Sequence, residues 1–277
     1  MATTNSLRIS LVAALLCACC GWAAAAPVQL EDLTWPELRQ RIAAGATTVL
    51  VPLGGTEQNG PHMVLGKHNV RVRALAVRIA ESLGDAIVAP VVAYVPEGAI
   101  TPPTQHMRWP GTISVPAPVF EATLEATARS LRQHGFCQVV FLGDHGGYRA
   151  SLDRVAAVLN HAWAPHSNCR AHALPEYYRA ASTEYDALLK ARGFSAAEIG
   201  THAGLADTSL ALAVDPALVR PDAMAARPKD AAGDGVAGDP HRASAELGRL
   251  GIDHIVAASV AAIRARTSAA PQRSKPG

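Results

Sequence analysis

Several things are scarce in this chain, and each scarcity removes a class of function. Aromatic residues make up only 5% of it, too few for the stacking platforms on which proteins lay unpaired bases. Charged residues are 17% of the total, dispersed, and nearly balanced at a net +2, so the basic stripe of a nucleic-acid binder is missing. No internal repeat is present, which sets aside solenoids and propellers. Apolar runs fall short of the ~20 residues that a membrane-spanning helix needs. The five cysteines do not make a framework: Cys17, Cys19 and Cys20 lie in an N-terminal leader. Cys137 and Cys169 remain, without the CxxC spacing of a metal site. An oxidising compartment permits a bridge between them; burial of Cys137 as a free thiol beside an apolar strand is the alternative.

The leader itself is informative. Arg8 supplies a positive start, Ile9 to Cys20 an apolar run, and Ala23 to Ala26 a small-residue cleavage zone. Residues 1–26 therefore read as a secretory signal, and the chain is expected to be exported, to the periplasm or out of the cell. The rest of the chain, at 49% hydrophobic content overall, has apolar material for one large α/β domain, residues 27–266. Residues 267–277, rich in Ser, Pro and Lys, read as a disordered tail.

What is present is organised around Val49 to Asn69. An apolar, β-branched run ends at Gly54-Gly55, and the following turn carries Glu57, Asn59, His62 and His68 within twelve residues. Loops leaving the carboxyl ends of strands are where open α/β sheets bind ligands. Helical spacing follows over Asn69 to Leu83, then an apolar strand from Ile87 to Val95. A long loop from Glu97 to Thr112 holds His106 and Trp109-Pro110-Gly111-Thr112. After a helix over Pro116 to Gly135 comes the strand Cys137 to Leu142, and Gly143-Asp144-His145-Gly146-Gly147 repeats the strand-to-polar-turn logic. Ala171 to Tyr177 reads as a fourth strand, and Thr201 to Ser209 opens a further helix. Residues 221–240 read as a loop, and Gly248 to Arg266 as a closing helix. Strands alternating with helices predict a mostly parallel sheet covered on both faces, a three-layer α/β/α sandwich.

Four segments in order resemble the creatininase (creatinine amidohydrolase) family. They are Gly55 to His62, His106 with Trp109 to Thr112, Gly143 to Gly147, and His202-Ala203-Gly204 with Asp207-Thr208-Ser209; Gly238-Asp239-Pro240 is a weaker fifth. The resemblance covers about residues 45 to 250. It implies a metal-dependent hydrolase of amide C–N bonds in small or cyclic amides, the three-layer fold, and a homo-oligomer, commonly a hexamer. Glu57 and His145 match metal ligands of the family. Asp207 stands where many members carry a Glu near the metals, and His202 at an active-site histidine.

Two positions depart from the pattern. Asn59 stands where the family has a ligating His, and His68 where it has an Asp bridging two metals. An imidazole cannot bridge as a carboxylate does, and an amide is a weak zinc ligand. The expectation is therefore one Zn²⁺, with Mn²⁺ or Fe²⁺ as alternatives, held by Glu57, His68, His145 and Asp207 with a position left for water. His202 and Glu57 are the expected catalytic groups. Asp207 reads equally as a helix-start carboxylate. His62 reads as a ligand or an orienter of its loop, and His106 as a substrate contact. Asp144 either orients an imidazole or faces solvent. The rival expectation is a non-catalytic binding protein on the same scaffold with a degraded metal site.

Overall fold

The computed structural model describes residues 27–165, 167–228 and 233–268. The expected signal segment 1–26 and residues 269–277 of the expected tail lie outside the described residues.

The chain enters through helix α1 (Trp35–Ala43), started by a reciprocal cap in which Glu37 Oε2 accepts the Thr34 amide at 2.7 Å. There follow β1 (Thr48–Leu53), α2 (Lys67–Leu83), β2 (Ala86–Val88), α3 (Ala117–Gln133), β3 (Gln138–Gly143), α4 (Arg149–Trp163) and β4 (Arg170–Ala173). The strands pair in parallel in the order β2-β1-β3-β4. Every residue of β1 and β3 is buried, as a sheet covered on both faces requires. Alternate side chains serve opposite layers. Leu50, Val140 and Leu142 join one core with Val72, Leu75 and Ile79 of α2. Val49, Val51, Leu53, Val139 and Phe141 join the other, with Phe120 and Leu124 of α3 and Leu152 and Val155 of α4.

β1 and β3 pair over their whole length, Thr48 opposite Gln138 and Leu53 opposite Gly143. Both strands therefore stop at the same level, and the loops after Leu53 and Gly143 emerge side by side. Tyr148 fastens them together. Its buried hydroxyl accepts the amides of Asp144 and His145, both at 3.1 Å, and lies 2.7 Å from the Leu53 carbonyl and 2.9 Å from that of Gly54.

The second half is helical: α5 (Pro175–Arg179), a π-helical turn (Ala180–Glu184), α6 (Tyr185–Lys190), α7 (Ala196–Ile199), α8 (Leu205–Val214), α9 (Pro221–Ala226) and α10 (Ala245–Thr267). α10 seals the α2 side of the sheet and crosses α8 so closely that a Cβ on Gly248 would lie 1.9 Å from the Ser209 carbonyl oxygen. No helix among the described residues is long and apolar enough to cross a membrane.

Three segments differ from the sequence expectation. The strand expected over Ile87 to Val95 keeps regular pairing only to Val88: Ala89 donates to Leu50 and Val92 to Pro52, three residues against two, and this extra residue breaks the ladder; Val92 and Val95 make single bridges beyond it. β4 stops at Ala173, since Pro175 starts a helix. The expected loop 221–240 contains α9. Cys137 and Cys169 are joined as a disulfide, which ties the entrance of β3 to that of β4.

Candidate metal and hydrolytic site

The Gly54-Gly55 pair makes the site physically possible. A Cβ on Gly54 would lie 2.1 Å from Asn69 Oδ1, and one on Gly55 would lie 2.4 Å from Glu97 Oε1. The pair lets two polar side chains close on the strand end. Asn69 uses that space to accept the Gly55 amide at 3.0 Å, and Glu97 uses it to reach Glu57.

Glu57, Glu97, His106 and His145 each offer a donor atom, all within 4.8 Å of one another. His106 Nε2 is 3.2 Å and His145 Nε2 3.5 Å from Glu57 Oε2; His145 Nδ1 is 3.6 Å from Glu97 Oε2. Both carboxylates are buried. Among the described residues no N–H or hydroxyl donor reaches Glu57 Oε2 or either oxygen of Glu97, and the two carboxyl groups face each other closely enough to share a proton. Orphaned buried carboxylates are costly, and their proximity adds repulsion. Burial and the Glu57 charge accordingly push Glu97 up to about 9. Burial also raises Glu57, but the His68 hydrogen bond and the nearby charges prevail and hold it well below the usual carboxylate range. Burial lowers the three histidines around them, His145 and His202 to about 4. Near neutral pH their imidazoles are uncharged and keep lone pairs. One carboxylate, one carboxyl group that keeps its proton only while no cation is beside it, and two neutral imidazoles suit a divalent cation such as zinc.

The expected ligand set is distributed differently. His68 falls in the first turn of α2, with Nε2 2.8 Å from Glu57 Oε1 and Nδ1 2.6 Å from Asp144 Oδ2. Both ring nitrogens face carboxylates, so in this structure His68 bridges Glu57 and Asp144 instead of pointing into the cluster. Asp207 is likewise taken. It accepts Lys67 Nζ and Arg71 Nη1, both at 2.9 Å, and the Ala203 amide at 3.0 Å. Burial opposes its ionisation, but the two cations hold it well below its ordinary value. Asp144 does not face solvent. It accepts Arg71 Nε at 2.9 Å and Tyr177 Oη at 2.7 Å, and so fixes the His68 ring. Lys67 and Arg71, four residues apart on α2, are 1% and 4% exposed; they neutralise carboxylates from within the protein.

The remaining candidates have these places. Asn59 donates its amide to the Glu57 and Val64 carbonyls and folds the loop. His62 points to Thr208 Oγ1 at 3.0 Å and fastens that loop to α8. His106 sits in a 3-10 turn beside the cluster, closer than a remote substrate contact. His202 Nε2 lies 2.9 Å from the Gln58 main-chain carbonyl and 3.1 Å from the Gln58 side-chain Nε2, and its Nδ1 lies 3.8 Å from Glu57 Oε1. Two non-glycine residues have left-handed backbone, Gln105 (φ 49°) and Ala203 (φ 54°), each next to one of these histidines. Such conformations persist where surrounding structure enforces them.

Sequence reasoning missed Glu97. A signal was there: Val95-Pro96-Glu97-Gly98 sets an acid and a glycine at the end of an apolar run, as Leu53 to Glu57 does. Lys67 and Arg71 were also passed over, although their spacing on α2 with His68 puts all three on one face. Two cavities flank the cluster. One, of about 230 Å³, is lined by Arg71, His145, Tyr178, Asp186, His202 and Asp207 among others. The other, more open and of about 360 Å³, is lined by Gln58, His106, Arg108, Trp109 and His202 among others. His202 borders both.

Comparison with known proteins bears on this geometry. The sequence signature of the creatininase family, described as creatinine amidohydrolase, matches residues 31–263. A mycofactocin precursor peptide peptidase of Mycolicibacterium smegmatis is 35% identical over 42% of this chain and 49% of its own length. A creatinine amidohydrolase of Pseudomonas putida is 30% identical over 43% of this chain and 45% of its own. The chain spans about half the length of these two relatives. A structure designated "Creatininase Mn" superposes with a TM-score of 0.72 at 26% identity, covering 87% of this chain and 99% of that one. A mutant creatininase designated Zn-Zn type gives 0.71 at 26%, over 87% and 98%. With a signature that runs through most of its length and a sheet that superposes on solved members, the chain belongs to the creatininase family.

Proposed function

We propose that this chain is a metal-dependent hydrolase that cleaves a C–N bond, an amide, in a small molecule. The observation that carries the reading is the convergence of Glu57, Glu97, His106 and His145 with three buried carboxylate oxygens that no N–H or hydroxyl donor reaches among the described residues. These four would hold the ion, and one zinc is favoured because His68 and Asp207 are committed to other partners. A divalent ion bound there supplies Lewis-acid polarisation of a carbonyl and a lowered pKa for water.

The chain's own groups do the rest. His202, neutral at neutral pH and oriented by the Gln58 carbonyl, can accept a proton at Nδ1 and return it to a leaving nitrogen, the usual general acid–base role. Gln58 also places its side-chain Nε2 3.0 Å from His106 Nδ1 and 3.1 Å from both His202 Nε2 and the Gly235 carbonyl, so one amide steadies two histidines. Asp144 and Arg71 hold His68, which in turn holds Glu57 in its ionised form.

The test joins elemental analysis to turnover. Near-stoichiometric zinc, lost together with hydrolysis of an amide panel in Glu57→Ala, is the expected result. A stable, metal-free, inactive protein would favour the binding-protein alternative instead. We further propose export through residues 1–26 and assembly as a homo-oligomer, a hexamer by family resemblance. The disulfide supports export, since such bonds persist in oxidising compartments. Exposed Trp35, Tyr94 and Ile100 support assembly, which light scattering on the purified protein would measure.

A further inference from the structure

The 230 Å³ cavity beside His145 and His202 has a charge pattern that the hydrolytic reading leaves unused. Its lining includes three carboxylates, Asp144, Asp186 and Asp207, against the single guanidinium of Arg71. That guanidinium is spent on Asp144 and Asp207. Lys67 is spent on Asp207. Asp186, partly buried, differs from the other two acids because it forms neither a hydrogen bond nor an ion pair among the described residues. The cation acting on it belongs to Lys190, one helical turn on and exposed. Burial raises its carboxyl and the Asp207 charge adds to the rise, as expected of a carboxylate short of compensation.

The backbone that presents Asp186 is also unusual. Tyr178, Ala181, Ser182 and Asp186, all on the cavity lining, come from the segment in which α5 passes through the π-helical turn Ala180–Glu184 into α6. Such turns are rare and concentrate at functional sites. Opposite them, Gly146 leaves room for the Tyr178 hydroxyl, which would lie 2.6 Å from a Cβ there. The cavity therefore has Asp186 on one lining with His145 and His202, and His145 belongs to the candidate metal cluster.

We propose that this cavity is a subsite for a cationic arm of the substrate, an ammonium on a short aliphatic stem, with Asp186 as its anchoring carboxylate. The subsite rests on the hydrolase reading only for its place in a reaction; its charge selectivity stands on the cavity itself.

The test titrates n-butylammonium and its uncharged counterpart n-butyramide into the full-length, zinc-loaded protein, with binding read by ligand-observed NMR. The expected result is butylammonium affinity at least tenfold above that of butyramide. Asp186→Asn abolishes the difference and Asp186→Glu keeps it, with zinc content unchanged in both. Asp186→Ser serves as the neutral variant should Asp186→Asn not fold. Equal binding of the two probes, no binding of either up to tens of millimolar, or undiminished preference in the neutral variant would overturn the proposal. Zinc content and turnover of uncharged amides report on the hydrolase reading alone. A metal-free protein that still prefers butylammonium through Asp186 sinks that reading and leaves the subsite standing. An active zinc enzyme with a charge-blind cavity does the reverse.

Discussion

At the scale of single residues, the two acids Glu97 and Asp207 separate the observed cluster from the one expected. Glu97→Gln should lower zinc affinity, on the order of ~100-fold, as for loss of a group that binds or orients a metal ligand; competition with a chromogenic chelator measures it. Asp207→Asn should leave zinc bound but strand Lys67 in the interior and leave Arg71 with Asp144 alone. Breaking such a buried pair costs about 3–5 kcal/mol, visible in urea melts. The opposite pattern would restore Asp207 to the ligand set. Proton linkage gives a second prediction, carried by histidines outside the cluster. His62 is lowered to about 4 by burial and then by the Arg227 and Lys67 charges; burial and Arg266 do the same to His172. A folded-state pKa below the unfolded one means that the native state binds fewer protons. Stability should thus be full above the unfolded value and fall as pH drops from ~6.5 towards 4, by up to ~3 kcal/mol for a fully buried ring. Replacing His62 with Gln should flatten that slope in denaturant melts taken across the interval.

At the scale of elements, the contacts that matter are close approaches and staples. Gly248→Ala would drive a methyl into the Ser209 carbonyl, backbone that cannot swing aside. It should cost about 2–4 kcal/mol. Gly251→Ala meets side chains, Leu210 and Tyr185, 2.8 Å from its Cβ, and should cost less; thermal melts of the two variants check the order. Across 32 residues the Cys137–Cys169 bridge is worth about 3–4 kcal/mol in the chain-entropy account. Cys137→Ser should lower the unfolding free energy from denaturant melts by that amount, and reductant should reproduce the loss in the parent protein but not in the variant.

The elements were largely legible in the sequence and the site only partly so, for reasons that differ from residue to residue. β1 and β3 are unbroken apolar runs ended by glycine, α2 and α3 keep a helical period, and each signal is local. Glu57 and His145 were legible because each follows such a run directly. Glu97 was hidden by Pro96 behind it and a proline-rich loop ahead. Its role exists only because β1 and β2 pair and Gly55 vacates the space between. His68 was legible as a chemical group but not as a bridge, since its two partners lie 11 and 76 residues away. Asp207 was misread because the cations that claim it come from α2, a separate element.

At the scale of the whole molecule, the four residues proposed to hold the ion lie between positions 57 and 145, on loops of the adjacent strands β1 and β3 and on the long segment after β2. His202 and Asp186 arrive from the helical second half, and the disulfide joins strands without touching either group. The two groups thus sit on separate stretches of chain. A substitution in residues 175–210 can reshape the cavity while the four clustered side chains keep their places. Inherited as two parts under one roof, the chain can change its customer without changing its tool.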